Sequence, residues 1–85
     1  MTGTDSRIKR AFYRAQHRGT KELDFILGRF AHAELAGFDA AELTAFEELL
    51  ALPDPQIDLW IKGDAAPPGV QPMIARIRRF HRLES

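Results

Sequence analysis

Every apolar run in this 85-residue chain falls at helical spacing, and glycine or proline cuts the pattern into short pieces. Ile8, Ala11, Phe12 and Ala15 recur at i, i+3, i+4 and i+7. Leu23, Ile26, Leu27 and Phe30 form a second stripe, and Leu43, Phe46, Leu49 and Leu50 a third. Ile57, Trp60 and Ile61 share a fourth face, and Val70, Met73, Ile74, Ile77 and Phe80 a fifth. Between them stand Gly19, Gly37, Pro53-Asp54-Pro55 and Ala65-Ala66-Pro67-Pro68-Gly69. No stretch keeps strand alternation, and no heptad persists. The pattern predicts an all-α chain, a compact orthogonal bundle of about five short helices forming a single domain over 1–85.

Local signals predict where the pieces begin and end. Asp5 or Ser6 is positioned to cap the first helix, and the second should run from about Thr20 to Ala36. Asp39 and Glu42 have capping-box spacing, with Phe38 and Leu43 as a hydrophobic staple. Asp54 is positioned to cap a fourth helix with Pro55 in its first turn, ending near Gly63, and Pro72 opens a fifth. Gly28 costs the second helix about 1 kcal/mol relative to alanine, which predicts close approach by another helix there. Trp60 is expected to anchor the core.

Cysteine is absent, so disulfides, thiolate metal sites and thiol catalysis are excluded and the apolar core alone must hold a domain of this size. Hydrophobic residues at 45% and charged residues at 28% make an ordinary globular balance. The net charge is zero but its signs are segregated. Met1–Lys21 carries six bases and one acid, Glu22–Asp64 two and ten, and Ala65–Ser85 four and one. These blocks either pair with one another in the fold or steer a charged partner. Arg7, Arg10 and Arg14 on one helix and Arg76, Arg79 and Arg82 on another raise the alternative of a small nucleic-acid-binding or regulatory protein, although specific nucleic-acid binding is not expected without excess positive charge or an aromatic platform. The acids Glu42, Glu47 and Glu48 are expected to be a solvated face. His32 has no second histidine at helical spacing, so no metal is expected. Neither a phosphate loop nor a nucleophile–base set is present, and the chain is not expected to be an enzyme. Met1-Thr2-Gly3-Thr4-Asp5-Ser6 has neither signal-peptide nor transit-peptide character, and no run reaches membrane-spanning length. A cytoplasmic protein is expected, with a processed mitochondrial form as the alternative.

One segment stands apart. His17-Arg18-Gly19-Thr20-Lys21-Glu22-Leu23-Asp24 lies between the first two stripes and reads as a tight turn. Gly19 is suited to the left-handed conformation that ends a helix. Arg18 and Glu22 are expected to lie close together across the turn, and Glu22 and Asp24 to place negative charge in the first turn of the next helix. On local physics the segment is either a glycine cap with a surface ion pair or a contact site.

Arg18-Gly19-Thr20-Lys21-Glu22 resembles the Arg-Gly-x-x-Glu motif of the FAD assembly factor SdhE family, the succinate dehydrogenase flavinylation factors. The similarity extends upstream through Phe12-Tyr13-Arg14. Downstream it takes in Glu22-Leu23-Asp24, Leu27-Gly28-Arg29-Phe30-Ala31, Asp54-Pro55-Gln56-Ile57 and Leu59-Trp60-Ile61, so it covers most of the chain. His17 departs from the arginine common before the motif and makes the charge there depend on pH. The resemblance implies an assembly factor that binds the flavoprotein subunit of succinate dehydrogenase, with that of fumarate reductase as a further client, and promotes covalent attachment of FAD to a histidine. It implies partner-binding roles for Arg18, Gly19 and Glu22, with His17 and Asp24 flanking them. No tightly bound cofactor is expected, since FAD belongs to the client, and the free protein is expected to be a monomer.

Overall fold

The computed structural model describes residues 2–83, with side chains from residue 5 onward. The beginning of the Met1–Ser6 segment and the last two positions of the expected domain lie outside the described residues. Among the described residues the chain forms five α-helices, one 3-10 turn and no strand. They are α1 (Thr2–Gln16), α2 (Lys21–Glu34), the 3-10 turn (Leu35–Gly37), α3 (Ala40–Leu50), α4 (Asp54–Lys62) and α5 (Gln71–Phe80). The all-α expectation holds.

The helix ends show which local signals operate. Thr20 caps α2, its Oγ1 accepting from the Leu23 amide at 3.2 Å. The end of α2 tightens into the 3-10 turn, so the α-helix stops two residues short of Ala36. The capping box forms as expected: the Glu42 amide donates to Asp39 Oδ1 and the Asp39 amide to Glu42 Oε1, both at 2.8 Å. Phe38, just before the box, packs on Phe30 and Phe46 with ring centroids 6.0 and 5.9 Å away. Gly63 ends α4 at φ +124°, a backbone angle that favours glycine.

Two expected caps fail. Helix α1 begins at Thr2, upstream of Asp5 and Ser6, which leaves Asp5 in the first turn as a favourable negative charge. The N-cap of α4 is Pro53, whose ring offers no side-chain acceptor, while Asp54 is the first helical residue and its carboxylate is engaged elsewhere.

All five helices contribute to one buried cluster centred on Phe30 and Phe46, whose rings lie 5.7 Å apart. Helix α1 packs along α2, and α5 touches α2, α3 and α4. A Cβ at Gly28 would lie 3.2 Å from Gln16 Cγ and 3.8 Å from Gln16 Cα, so the close helix approach expected there is present. Trp60 is not the anchor its spacing predicted. It is half-buried, packs on the core from its edge, and borders a cleft of about 290 Å³ with Ala66, Gln71 and Arg78. Phe80 is 39% exposed, although its ring meets Phe30 edge-on at 5.6 Å. Periodicity gives the direction a side chain faces; how deep that face lies depends on the neighbouring helices.

The segregated charges pair within the fold. Arg7 bonds Glu47 at 2.6 Å, Arg18 bonds Asp54 at 2.6 Å, and Arg76 bonds both Glu34 and Glu42 at 2.8 Å. Each pair joins a basic end of the chain to its acidic middle.

Candidate functional site

The turn between α1 and α2 is docked on the junction between α3 and α4. Helix α3 ends with main-chain carbonyls that have no further helical amide to accept from, and its negative end favours a cation. Arg18 fills that place. Its Nη1 donates to the Leu50 carbonyl at 2.8 Å and its Nη2 to the Leu52 carbonyl at 3.1 Å. On the same guanidinium, Nε donates to Asp54 Oδ1 at 2.9 Å, and Nη2 lies 2.6 Å from that oxygen. A planar guanidinium with donors along three edges suits this set, whereas a lysine ammonium would not span it. The Arg18 side chain is only 10% exposed.

The main chain of the turn is held as well. The Gly19 amide donates to Asp54 Oδ2 at 2.6 Å, and the Arg18 amide donates to Asp24 Oδ1. Burial pushes the Asp54 carboxyl up, but the Gly19 amide and the Arg18 guanidinium outweigh it and hold the group below the usual carboxylate range.

Gly19 does not adopt the left-handed backbone expected of it; among the described glycines only Gly63 has positive φ. Its requirement is space. A Cβ at Gly19 would stand 2.8 Å from Asp54 Oδ2, in the position the carboxylate needs to reach the amide. The expected ion pair between Arg18 and Glu22 is also absent, because Asp54 and the end of α3 take the guanidinium inward while Glu22 points out.

Glu22 is exposed and belongs to none of the ion pairs within 4.0 Å among the described residues. It borders a cleft of about 210 Å³ with Ile26, Ile61, Lys62, Arg78 and Leu83. Lys62, held above its ordinary pKa chiefly by its hydrogen bond to Asp58, also feels the field of Glu22. His17 is exposed, its ring stacked 4.1 Å from that of Tyr13, which is 63% exposed. The five residues singled out from sequence therefore divide: Arg18, Gly19 and Asp24 hold the turn, and His17 and Glu22 face outward. The arrangement fixes the shape of a short loop and presents a carboxylate beside it.

Sequence reasoning missed Asp54 as the partner of this turn. A signal existed, a carboxylate between two prolines at a helix start, but that pattern reads locally as a cap. The Leu50 and Leu52 carbonyls carry no side-chain signal at all.

Three other arginines are committed within the fold. Arg7 bonds Thr44 as well as Glu47, Arg76 lies 4.7 Å over the Phe38 ring, and Arg78 donates to the carbonyls of Ile61 and Leu83. His32 meets the edge of the Phe12 ring at 5.9 Å, and no cluster of three potential metal-ligating side chains occurs among the described residues. No described helix is long and apolar enough to cross a membrane.

The model of the family described as the flavinator of succinate dehydrogenase matches residues 9–81. The chain is 38% identical over 82 residues to the FAD assembly factor SdhE of Acetobacter pasteurianus, covering 87% of this chain and 75% of that relative. It is 41% identical over 69 residues to the mitochondrial succinate dehydrogenase assembly factor 2 of Cryptococcus neoformans, covering 79% of this chain and 39% of that relative. The corresponding Debaryomyces hansenii protein is 41% identical over 61 residues, with 69% of this chain and 43% of the relative covered. The chain thus spans three quarters of the bacterial relative and less than half of these fungal ones. No solved structure matches with significance. The matched region includes the docked turn, Glu22 and Asp54, and the chain belongs to the family of succinate dehydrogenase flavinators.

Proposed function

We propose that this protein is an assembly factor that binds the flavoprotein subunit of succinate dehydrogenase and promotes covalent attachment of FAD to it. The names of its relatives support this reading, and the observation that carries it to particular residues is the outward carboxylate of Glu22 beside a turn held rigid from within. Covalent flavin attachment needs the flavin carbon and the client's nucleophile held at near-attack distance, a task of positioning that a small binder is able to perform. FAD and the bond-forming chemistry belong to the client, and this chain acts as a helper rather than an enzyme. Glu22 and His17 meet the client, while Arg18, Gly19 and Asp24 set the shape of the meeting surface. The flavoprotein of fumarate reductase as a second client, a monomeric free state and a cytoplasmic setting belong to the same reading. Specific nucleic-acid binding does not, since the net charge is zero and Arg7 and Arg76 spend donors inside the fold.

The test is Glu22→Ala, expressed in cells lacking their own factor. The variant should keep its helical circular dichroism, with stability within about 0.5 kcal/mol of native, as for other exposed substitutions. Covalent flavin fluorescence of the flavoprotein subunit should fall sharply. Native flavinylation by the folded variant would remove Glu22 from the contact.

A further inference from the structure

We propose that Asp54 is a positioning residue for client recognition: it sets the shape of the turn from which Glu22 acts. The inference rests on the reading of Glu22 as a client contact. Asp54 uses both of its oxygens on two successive residues of the turn. Oδ1 takes the Arg18 side chain and Oδ2 takes the Gly19 main chain, across separations of 36 and 35 residues. A side-chain pair alone would leave the backbone free to pivot; the added amide bond fixes it.

The carboxylate is itself well placed to act as a fixed point. It sits in the first turn of α4 between Pro53 and Pro55, whose rings restrict the backbone on either side. Gly19 leaves open the space it occupies. From the other direction Thr20 caps α2, and Asp24 accepts from the Arg18 amide. Glu22 therefore sits in the first turn of α2 on a backbone held by contacts that it does not make. Among the described residues its own side chain has no ion pair to hold it, so its placement is inherited from the turn. A direct client role for Asp54 is disfavoured, since its side chain is only 23% exposed and both oxygens are engaged. A turn ordered in advance removes the ordering penalty that a loose one meets on binding.

The measurement is affinity for the isolated, FAD-loaded flavoprotein subunit, using the full chain and its Asp54→Asn, Glu22→Ala and doubly substituted forms. Asp54→Asn keeps the size of the side chain but removes its charge and one acceptor. It should weaken binding by about tenfold, within the range measured for coupled residues. In the Glu22→Ala background the same change should do little, because a turn without its contact residue has nothing to position. Amide exchange at Gly19 should accelerate in Asp54→Asn and stay native in Glu22→Ala. If Asp54→Asn does not fold, Gly19→Ala reads the same cycle, since its Cβ displaces Oδ2 while leaving the charge in place. Native affinity of the Asp54 or Gly19 variant beside a weakened Glu22→Ala overturns this inference alone, as do independent, multiplicative losses in the double variant. Native affinity of Glu22→Ala overturns the contact reading and this inference with it.

Discussion

Arg18 and Arg76 each tie a basic end of the chain to its acidic middle, yet they do different work. Arg76 is 31% exposed and bridges the carboxylates of Glu34 and Glu42, side chains of two helices that have their own apolar stripes. Water is able to replace either partner. Arg18 is 10% exposed, and two of its acceptors are main-chain carbonyls at the end of α3. Its third acceptor also holds the Gly19 amide, so losing one side chain leaves several polar groups unpaired in a confined space. The same ion-pair chemistry fastens finished helices in one place and shapes a loop in the other. Burial and the identity of the acceptors decide which.

The widest separation between the two should appear on truncation. Arg18→Ala is expected to lower stability by about 3 kcal/mol, because the Asp54 carboxylate and two carbonyls lose their partner. Arg76→Ala should lose only about 1 kcal/mol. Urea unfolding of both variants measures this, and equal losses would erase the distinction.

Acid should sharpen the contrast next. The folded Asp54 carboxyl binds its proton more weakly than the unfolded one. Its contribution is therefore present above the unfolded pKa of about 4 and is lost as pH falls through the lower folded value. Asp54→Asn should flatten part of that acid limb. The remainder includes Glu47, which is lowered first by its hydrogen bond to Arg7. An acid limb of native slope in Asp54→Asn would show that the carboxylate is not held as described.

Salt should give the smallest effect. At 1 M ionic strength the screening length shrinks to about 3 Å. The deficit of Arg76→Ala relative to native should narrow by a few tenths of a kcal/mol, roughly the scale of an exposed pair. That of Arg18→Ala should persist, since hydrogen bonds to sheltered carbonyls are little screened. Equal narrowing in both would mean that water reaches Arg18 as freely as Arg76.

Much of this molecule was legible because much of it is local. The Leu23, Leu27 and Phe30 stripe, the box of Asp39 and Glu42, and the stop at Gly63 each depend on residues within a few positions of one another. The turn was legible as a turn for the same reason. Its partner was not. Asp54 lies 36 residues from Arg18, and its setting between prolines satisfies a nearer explanation that happens to be wrong. Trp60 and Phe80 failed differently. Their faces were assigned correctly, but each lies at the edge where neighbouring helices leave the core uncovered, and no one-dimensional spacing records that edge.

The long reach of Arg18 also orders events in time. A growing chain makes the Arg-Gly-x-x-Glu segment well before it makes the carboxylate that gives the segment its shape. The 36-residue interval corresponds to about 2–7 s at ordinary rates of synthesis. Until the start of α4 emerges, α1 and α2 are free to pair along their apolar stripes, but the link between them swings about an arginine with nowhere to dock. The docked turn is thus a late product of folding although its residues are made early, and a nascent chain arrested before Asp54 would carry the segment without its shape.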